Sequence, residues 1–246
     1  MRFRPLLIPA LAALVLAGCG KSDSAAPGGP SGGEPVAAVA APAGKAWAEI
    51  ITPGADGGLV MGNPKAPIKL VEYGSLSCPH CAKLAQDGAA ALTEKYVNTG
   101  KVSWEFRSFA IHPQDVPLTM LVRCSGPDAY FPLVEQVYSN FDALSESTQK
   151  GADKLGNMAG VAPAQRFTLI SDALGFTEFF AARGIARDQA HACLTNTAAA
   201  EKIAAESDAA AKAGIESTPT MLINGAKVSG NTWAELEPLL QKAGAR

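Results

Sequence analysis

Hydrophobic positions along this chain switch between two periods, and the switches mark out its elements. Ile68 to Tyr73 is a β-rich apolar run that empties into a turn at Gly74-Ser75. Beyond it, Pro79 to about Asn98 places Leu84, Ala85, Leu92, Tyr96 and Val97 in a rough helical stripe. Gly88 weakens that helix locally and is a site for a bend, and Asn98-Thr99-Gly100 closes it. Lys101 to Phe109 then alternates Val102, Trp104 and Phe106 against Ser103, Glu105 and Arg107, which predicts a strand with one wet face or at an edge. Upstream, Trp47 to Ile51 reads as a first strand and Met61-Gly62-Asn63-Pro64 as turn chemistry.

The stretch from there to Pro219 is helical in pattern. Helices are predicted at Pro117–Ser125, Tyr130–Ser139, Ser147–Ala159, Pro163–Leu174, Phe176–Arg183 and Arg187–Leu194. The Ala-rich run Thr195 to Ala213 has high helix propensity, carries Ile203 and the pair Asp208–Lys212, and ends at Gly214. Thr220–Ile223 and Lys227–Ser229 are strands joined at Asn224-Gly225, a strong hairpin signal. A last helix opens on the capping box Thr232 and Glu235, and Pro238 keeps it short or kinked. The sum is an α/β chain, with strands towards both ends of residues 46–246 and a long helical stretch between them.

The first forty-odd residues break both periods. Arg2 and Arg4 precede a short apolar run, Leu6 to Leu16, which reads as a secretory signal over residues 1–18. Leu16-Ala17-Gly18-Cys19 resembles a bacterial lipoprotein cleavage site, with Cys19 the lipidated first residue of the mature chain; an ordinary signal with a chance cysteine is the alternative. Two or more acyl chains would hold the protein on a membrane surface without spanning it. Gly20 after that cysteine carries no acidic inner-membrane retention signal and leans towards the outer membrane. Residues 19–45 are rich in Pro, Gly, Ala and Ser and predict a flexible tether. About 26 such residues would reach on the order of 30 Å. Loss of the two signal arginines takes the formal net charge from −2 to about −4, and nothing in that balance points to nucleic acid.

The chemistry concentrates in Cys78-Pro79-His80-Cys81. Pro79 suits the first helical position. That makes Cys78 the N-cap, facing unpaired N–H groups and the positive helix end, where a thiolate is stabilised. A zinc site would need a second C-x-x-C or a spaced histidine pair, and His80, His112 and His191 all stand apart. His112 and His191 read as surface or capping residues.

With Glu72 six residues ahead of Cys78, and Ser217-Thr218-Pro219-Thr220 far downstream, the chain resembles the DsbA-like disulfide oxidoreductases of the thioredoxin superfamily from about Gly62 to its end. The resemblance implies a thioredoxin-like fold, built from residues 46–111 and 195–246 with a helical insertion at 112–194, and a thiol:disulfide oxidoreductase that needs no cofactor and no metal. It implies Cys78 as nucleophile, Cys81 as resolving thiol, His80 as support for the Cys78 thiolate, and Glu72 as the acid that assists proton transfer at Cys81. Alternation alone leaves Glu72 pointing in or out. Thr218–Pro219 would be a cis loop facing the sulfurs; only about 5–6% of X–Pro bonds in folded proteins are cis, so that expectation comes from the resemblance alone. Five cysteines then partition: Cys19 to lipid, Cys78 and Cys81 to chemistry, and Cys124 with Cys193 to a structural disulfide of the kind some DsbA-like proteins carry, against the alternative of two buried thiols.

The implied partners are reduced or unfolded secreted proteins and a membrane redox protein that resets the active-site cysteines. Lowering the Cys78 pKa by about 3 from ~8.5 would raise the potential by roughly 40–50 mV, which favours a dithiol oxidase. Thr218, where the most familiar oxidase has an apolar residue, keeps a reductase or isomerase open. A tethered metal- or peptide-binding module using Cys78 and Cys81 is the non-enzymatic alternative.

Overall fold

The computed structural model describes residues 32–54 and 56–246. The expected signal at 1–18, the expected lipidation site Cys19 and the first part of the expected tether lie outside the described residues. The rest of that tether is not a free linker. Val36 N donates to Gly244 O (2.9 Å), Gly33 N to Lys242 O (2.8 Å) and Val39 N to Thr99 O (2.9 Å), so residues 32–45 run as a strap along the domain. Val36 and Ala41 pack on the core beneath it. A few small apolar residues and backbone bonds suffice here, which composition does not reveal. Gly100, at φ 72°, lets the strap approach: a Cβ there would sit 2.5 Å from Val39 O.

Six strands form one sheet in the order β1-β2-β4-β3-β5-β6: β1 Ile51–Pro53, β2 Leu59–Gly62, β3 Ile68–Gly74, β4 Val102–Ser108, β5 Thr220–Ile223 and β6 Ala226–Val228. The central pair β3 and β4 is parallel, in the register Leu70↔Trp104 and Glu72↔Phe106, and the remaining pairs are antiparallel. Two sequence expectations fail here. Trp47–Glu49 is a 3₁₀ turn, so the first strand begins at Ile51. β2, hidden among glycines, pairs with β4 and moves β4 from the edge to the interior. The polar face of β4 is consequently dry: Ser103 is 2% and Glu105 9% exposed. Arg107 answers Glu105 with two hydrogen bonds (2.8 and 3.0 Å) and also donates to Tyr73 Oη (2.8 Å) and Asp56 (2.5 Å).

Both sheet faces are covered. Helix α1, Pro79–Ala91, continues through a π-helical turn at Leu92–Val97 and packs with α9, Trp233–Leu240, on the face bearing Ile68, Leu70, Val102 and Phe106. Gly88 is a point of close approach rather than a bend, since a Cβ would lie 2.5 Å from the Trp233 ring. Between β4 and the return helix lie α2 Asp115–Val122, α3 Pro127–Ser139, α4 Phe141–Ala152, α5 Pro163–Ala173, α6 Phe176–Ala181 and α7 Arg187–Leu194. Helix α4 starts six residues before its predicted position and ends seven before, because Leu144 and the Phe141 ring turn inward. Helix α8, Thr197–Lys212, is capped by Asn196, whose side chain accepts from Ala199 N, and covers Val71 and Tyr73 on the other sheet face. The fold is thus α/β, a thioredoxin-like sheet with a helical insertion. Among the described residues no helix is long and apolar enough to cross a membrane.

Candidate active site

Strand β3 ends at Gly74, and Ser75-Leu76-Ser77 turns the chain into α1. Cys78 is the N-cap, with extended backbone (φ −89°, ψ 123°), and Pro79 follows at the first helical position. The unpaired N–H groups of the first turn therefore face the Cys78 sulfur. Cys78 is 5% exposed and Cys81, one turn on, is fully buried; both are free thiols. From across the sheet, the loop before β5 brings Thr218 and Pro219 to the same place: the Thr218–Pro219 peptide is cis, and Thr218 O lies 3.4 Å from Cys78 Sγ.

The two sulfurs are electrically unequal. Cys78 is lowered to about 5, chiefly because Cys81 Sγ–H donates to it; burial opposes this, and Thr218 and the N–H groups of Cys81 and His80 add to it. Thr218 Oγ1 is buried with no other hydrogen-bond partner among the described residues, and its O–H can turn towards a thiolate. Cys81 is raised far beyond the ordinary thiol range, by burial first, then by its donation to Cys78 and by the nearby Glu72 carboxylate. Cys78 is therefore a thiolate at neutral pH and Cys81 a thiol.

Glu72 lies on the buried face of β3, between the sheet and α1, and is 4% exposed. Burial raises its carboxyl to about 7; a hydrogen bond from Trp104 opposes the shift and the Cys78 charge adds to it. Trp104 Nε1 donates to Glu72 Oε2 at 3.2 Å. Since helices cover both faces of the sheet, either orientation of Glu72 would have been buried. The sequence showed no such cover.

The His80 ring is exposed and makes no side-chain hydrogen bond among the described residues; what His80 gives Cys78 is its backbone N–H. Cys124 and Cys193, away from these sulfurs, form a disulfide with a Cα–Cα distance of 5.9 Å. Sequence reasoning passed over four further residues here. Trp104 read as an ordinary core aromatic. His112 read as a surface or capping residue and is exposed, and its Nδ1 also lies 3.0 Å from Ser77 Oγ. Tyr138 Oη donates to Ser75 O (3.1 Å), and Asp115 is buried beneath the turn. The one available signal was Asp115 at a helix start shortly after a strand end. Among the described residues no three His, Cys, Asp or Glu side chains are grouped to hold a metal.

A groove of about 810 Å³, lined by Pro53, Leu59 and residues of α8 among others, includes none of these side chains. A smaller one, about 240 Å³, adjoins the turn itself. It is lined by Leu76, Ser77, Leu118, Phe141, Leu144 and Phe176 among others, with no charged residue.

A family model described as thioredoxin matches residues 55–242. A relative from Rickettsia conorii, named as a protein-disulfide oxidoreductase, is 30% identical over 113 residues, 45% of this chain and 41% of that protein. This chain thus spans about two-fifths of the length of the curated relatives it matches first. Among solved structures, a protein-disulfide isomerase from Novosphingobium aromaticivorans is 31% identical, with a TM-score of 0.67 over 74% of this chain and 94% of that one. The α-DsbA1 of Wolbachia pipientis shares the fold, with a TM-score of 0.60 at 24% identity over 75% of this chain and 89% of that one. The family model over residues 55–242 shows that the chain belongs to the thioredoxin family, and with its helical insertion it has the fold of a DsbA-like protein.

Proposed function

We propose that this protein is an extracytoplasmic thiol:disulfide oxidoreductase that works as a dithiol oxidase on secreted proteins. The observation that carries the reading is the inequality of the two sulfurs: Cys78 at a helix N-terminus with a pKa of about 5, and Cys81 buried and protonated behind it. A substrate thiolate attacks the oxidised pair at Cys78, the only sulfur within reach. The Cys78–Cys81 bond breaks and a substrate–Cys78 mixed disulfide forms. Cys81 departs with the electron pair and takes a proton, which Glu72, titrating near 7, would supply. A second substrate thiolate then attacks the substrate sulfur. Cys78 leaves as a stabilised thiolate, the better leaving group. Two electrons have passed from substrate to enzyme, and the substrate holds a disulfide. A membrane redox partner of the opposite polarity would re-form Cys78–Cys81.

The uncharged groove beside Ser77 suits an unfolded chain with apolar side chains near its cysteine. In this reading residues 1–18 are a signal, Cys19 carries lipid, and only the segment before the strap remains as tether; mass analysis of the mature N-terminus tests this. The second reading, a reductase or isomerase, is favoured by Thr218 and by the name of the Novosphingobium relative. The deciding experiment incubates a reduced, unfolded secreted protein with the oxidised enzyme and follows disulfides formed against disulfides reduced or shuffled. Stoichiometric oxidation supports the proposal. Activity only in reduction or shuffling replaces it.

A further inference from the structure

The active-site turn is gripped from outside the sheet by a carboxylate that the mechanism above does not use. Asp115, the first residue of α2, has a side chain with no exposed surface. A buried carboxylate is costly unless donors surround it. This one accepts from Ser75 Oγ with both oxygens (2.9 Å each), from Ser77 N (3.0 Å), and from Ile111 N and His112 N (3.0 Å each). The last two bonds are local, of the kind any loop aspartate makes before a helix. The bonds to Ser75 and Ser77 are not local. They cross about forty residues, from the helical insertion to the two residues that decide how the chain enters Cys78.

Other contacts converge on the same turn. Ser75 O accepts from Cys78 N (3.2 Å) and from Tyr138 Oη at the end of α3 (3.1 Å). Ser77 Oγ meets His112 Nδ1 (3.0 Å), beside Asp115. The N-cap conformation of Cys78 is thus braced by the start of α2 and the end of α3, both parts of the insertion. We propose that Asp115 is a positioning residue for the thiol chemistry: through Ser75 and Ser77 it fixes the backbone that aims the helix N–H groups at Cys78. This rests on the reading of Cys78 as the reactive sulfur.

Positioning and bare charge predict opposite signs. A negative group near Cys78 disfavours its thiolate, so deleting the charge alone would lower the Cys78 pKa. Loosening the turn would raise it, because the N–H groups lose their aim. Two variants of the full mature chain separate these effects, Ser75→Ala and Asp115→Asn, read by thiolate absorbance of the reduced protein against pH and by the thermal midpoint. The expected result is a Cys78 pKa that rises from about 5 by roughly one pH unit in both, a severalfold loss of thiolate at pH 5. Ser75→Ala should retain its fold, and decides the matter where Asp115→Asn does not fold. An unchanged Cys78 titration with only a lowered thermal midpoint would make Asp115 structural and overturn the proposal. So would a lowered pKa in Asp115→Asn. The titration needs no turnover, so it tests positioning even where the oxidase assay fails.

Discussion

The molecule holds two pairs of cysteines, and they sit at opposite ends of helices. Cys78 caps the N-terminus of α1 and Cys81 lies one turn inside it. Cys124 comes two residues after α2 has ended, and Cys193 is in the last turn of α7. The first pair meets free N–H groups and the positive end of a helix dipole, whereas the second meets carbonyls and the negative end. A thiolate is favoured at one place and disfavoured at the other, so the second pair makes poor leaving groups and a durable bond. Chain length reinforces the contrast. Cys124 and Cys193 are 69 residues apart and their bond removes much freedom from the unfolded chain, while a Cys78–Cys81 bond removes almost none. The same chemical group is a reagent in one setting and a staple in the other, and helix polarity with loop length decides which.

Exchanging the pairs' roles by mutation should fail in specific ways. The largest effect is expected at Cys78: Cys78→Ser should reduce disulfide exchange to background. Cys81→Ser should keep the reactive thiolate and accumulate mixed disulfides on Cys78 when offered a substrate disulfide, seen on non-reducing gels. Replacing Cys124 and Cys193 together by Ala should leave exchange intact and cost up to roughly 4 kcal/mol of stability in the chain-entropy model, measured by urea unfolding. Loss of exchange in that double variant would break the comparison.

Glu72 gives the next effect, and its sign follows from the raised carboxyl. Its folded pKa is about 7 against 4.5. The folded state holds a proton that the unfolded chain releases, and the protein therefore loses stability as pH rises from 4.5 to 7, with the full loss present above 7. Glu72→Gln should remove that penalty, stabilising the protein by on the order of 2–3 kcal/mol at pH 8 and by nothing near pH 4. Urea midpoints at the two pH values check this. The same variant should slow the step that protonates Cys81. Smaller still is Gly88→Ala, which pushes a Cβ into the Trp233 ring and should cost about 1–3 kcal/mol without moving the Cys78 titration.

Legibility in the sequence followed locality. The strand before Cys78, Pro79 after it, the hairpin at Asn224-Gly225 and five of the six insertion helices could be read from nearby residues. β2 could not, because four residues between glycines carry no period, and with it went the interior place of β4 and the dry Glu105–Arg107 pair. The strap at 32–45 was misread as tether since its stability comes from backbone bonds to Thr99, Lys242 and Gly244, which composition does not encode. At the site, the sulfurs, Glu72 and the proline loop were visible as motifs. Trp104, Asp115, His112 and Tyr138 were not, because each reaches the site by a contact at least thirty residues long in sequence.

The Cys81 thiol, Thr218 and the helix N-terminus together make Cys78 a stabilised thiolate, and on that ground the Cys78–Cys81 couple is proposed to be an oxidant. Equilibration of the mature protein with glutathione buffers, with the Cys78–Cys81 bond quantified by mass, measures it directly. The expected couple is more oxidising than about −200 mV, towards the −120 mV end of the known range. A value near −270 mV, with Cys78 titrating at an ordinary ~8.5, would contradict it.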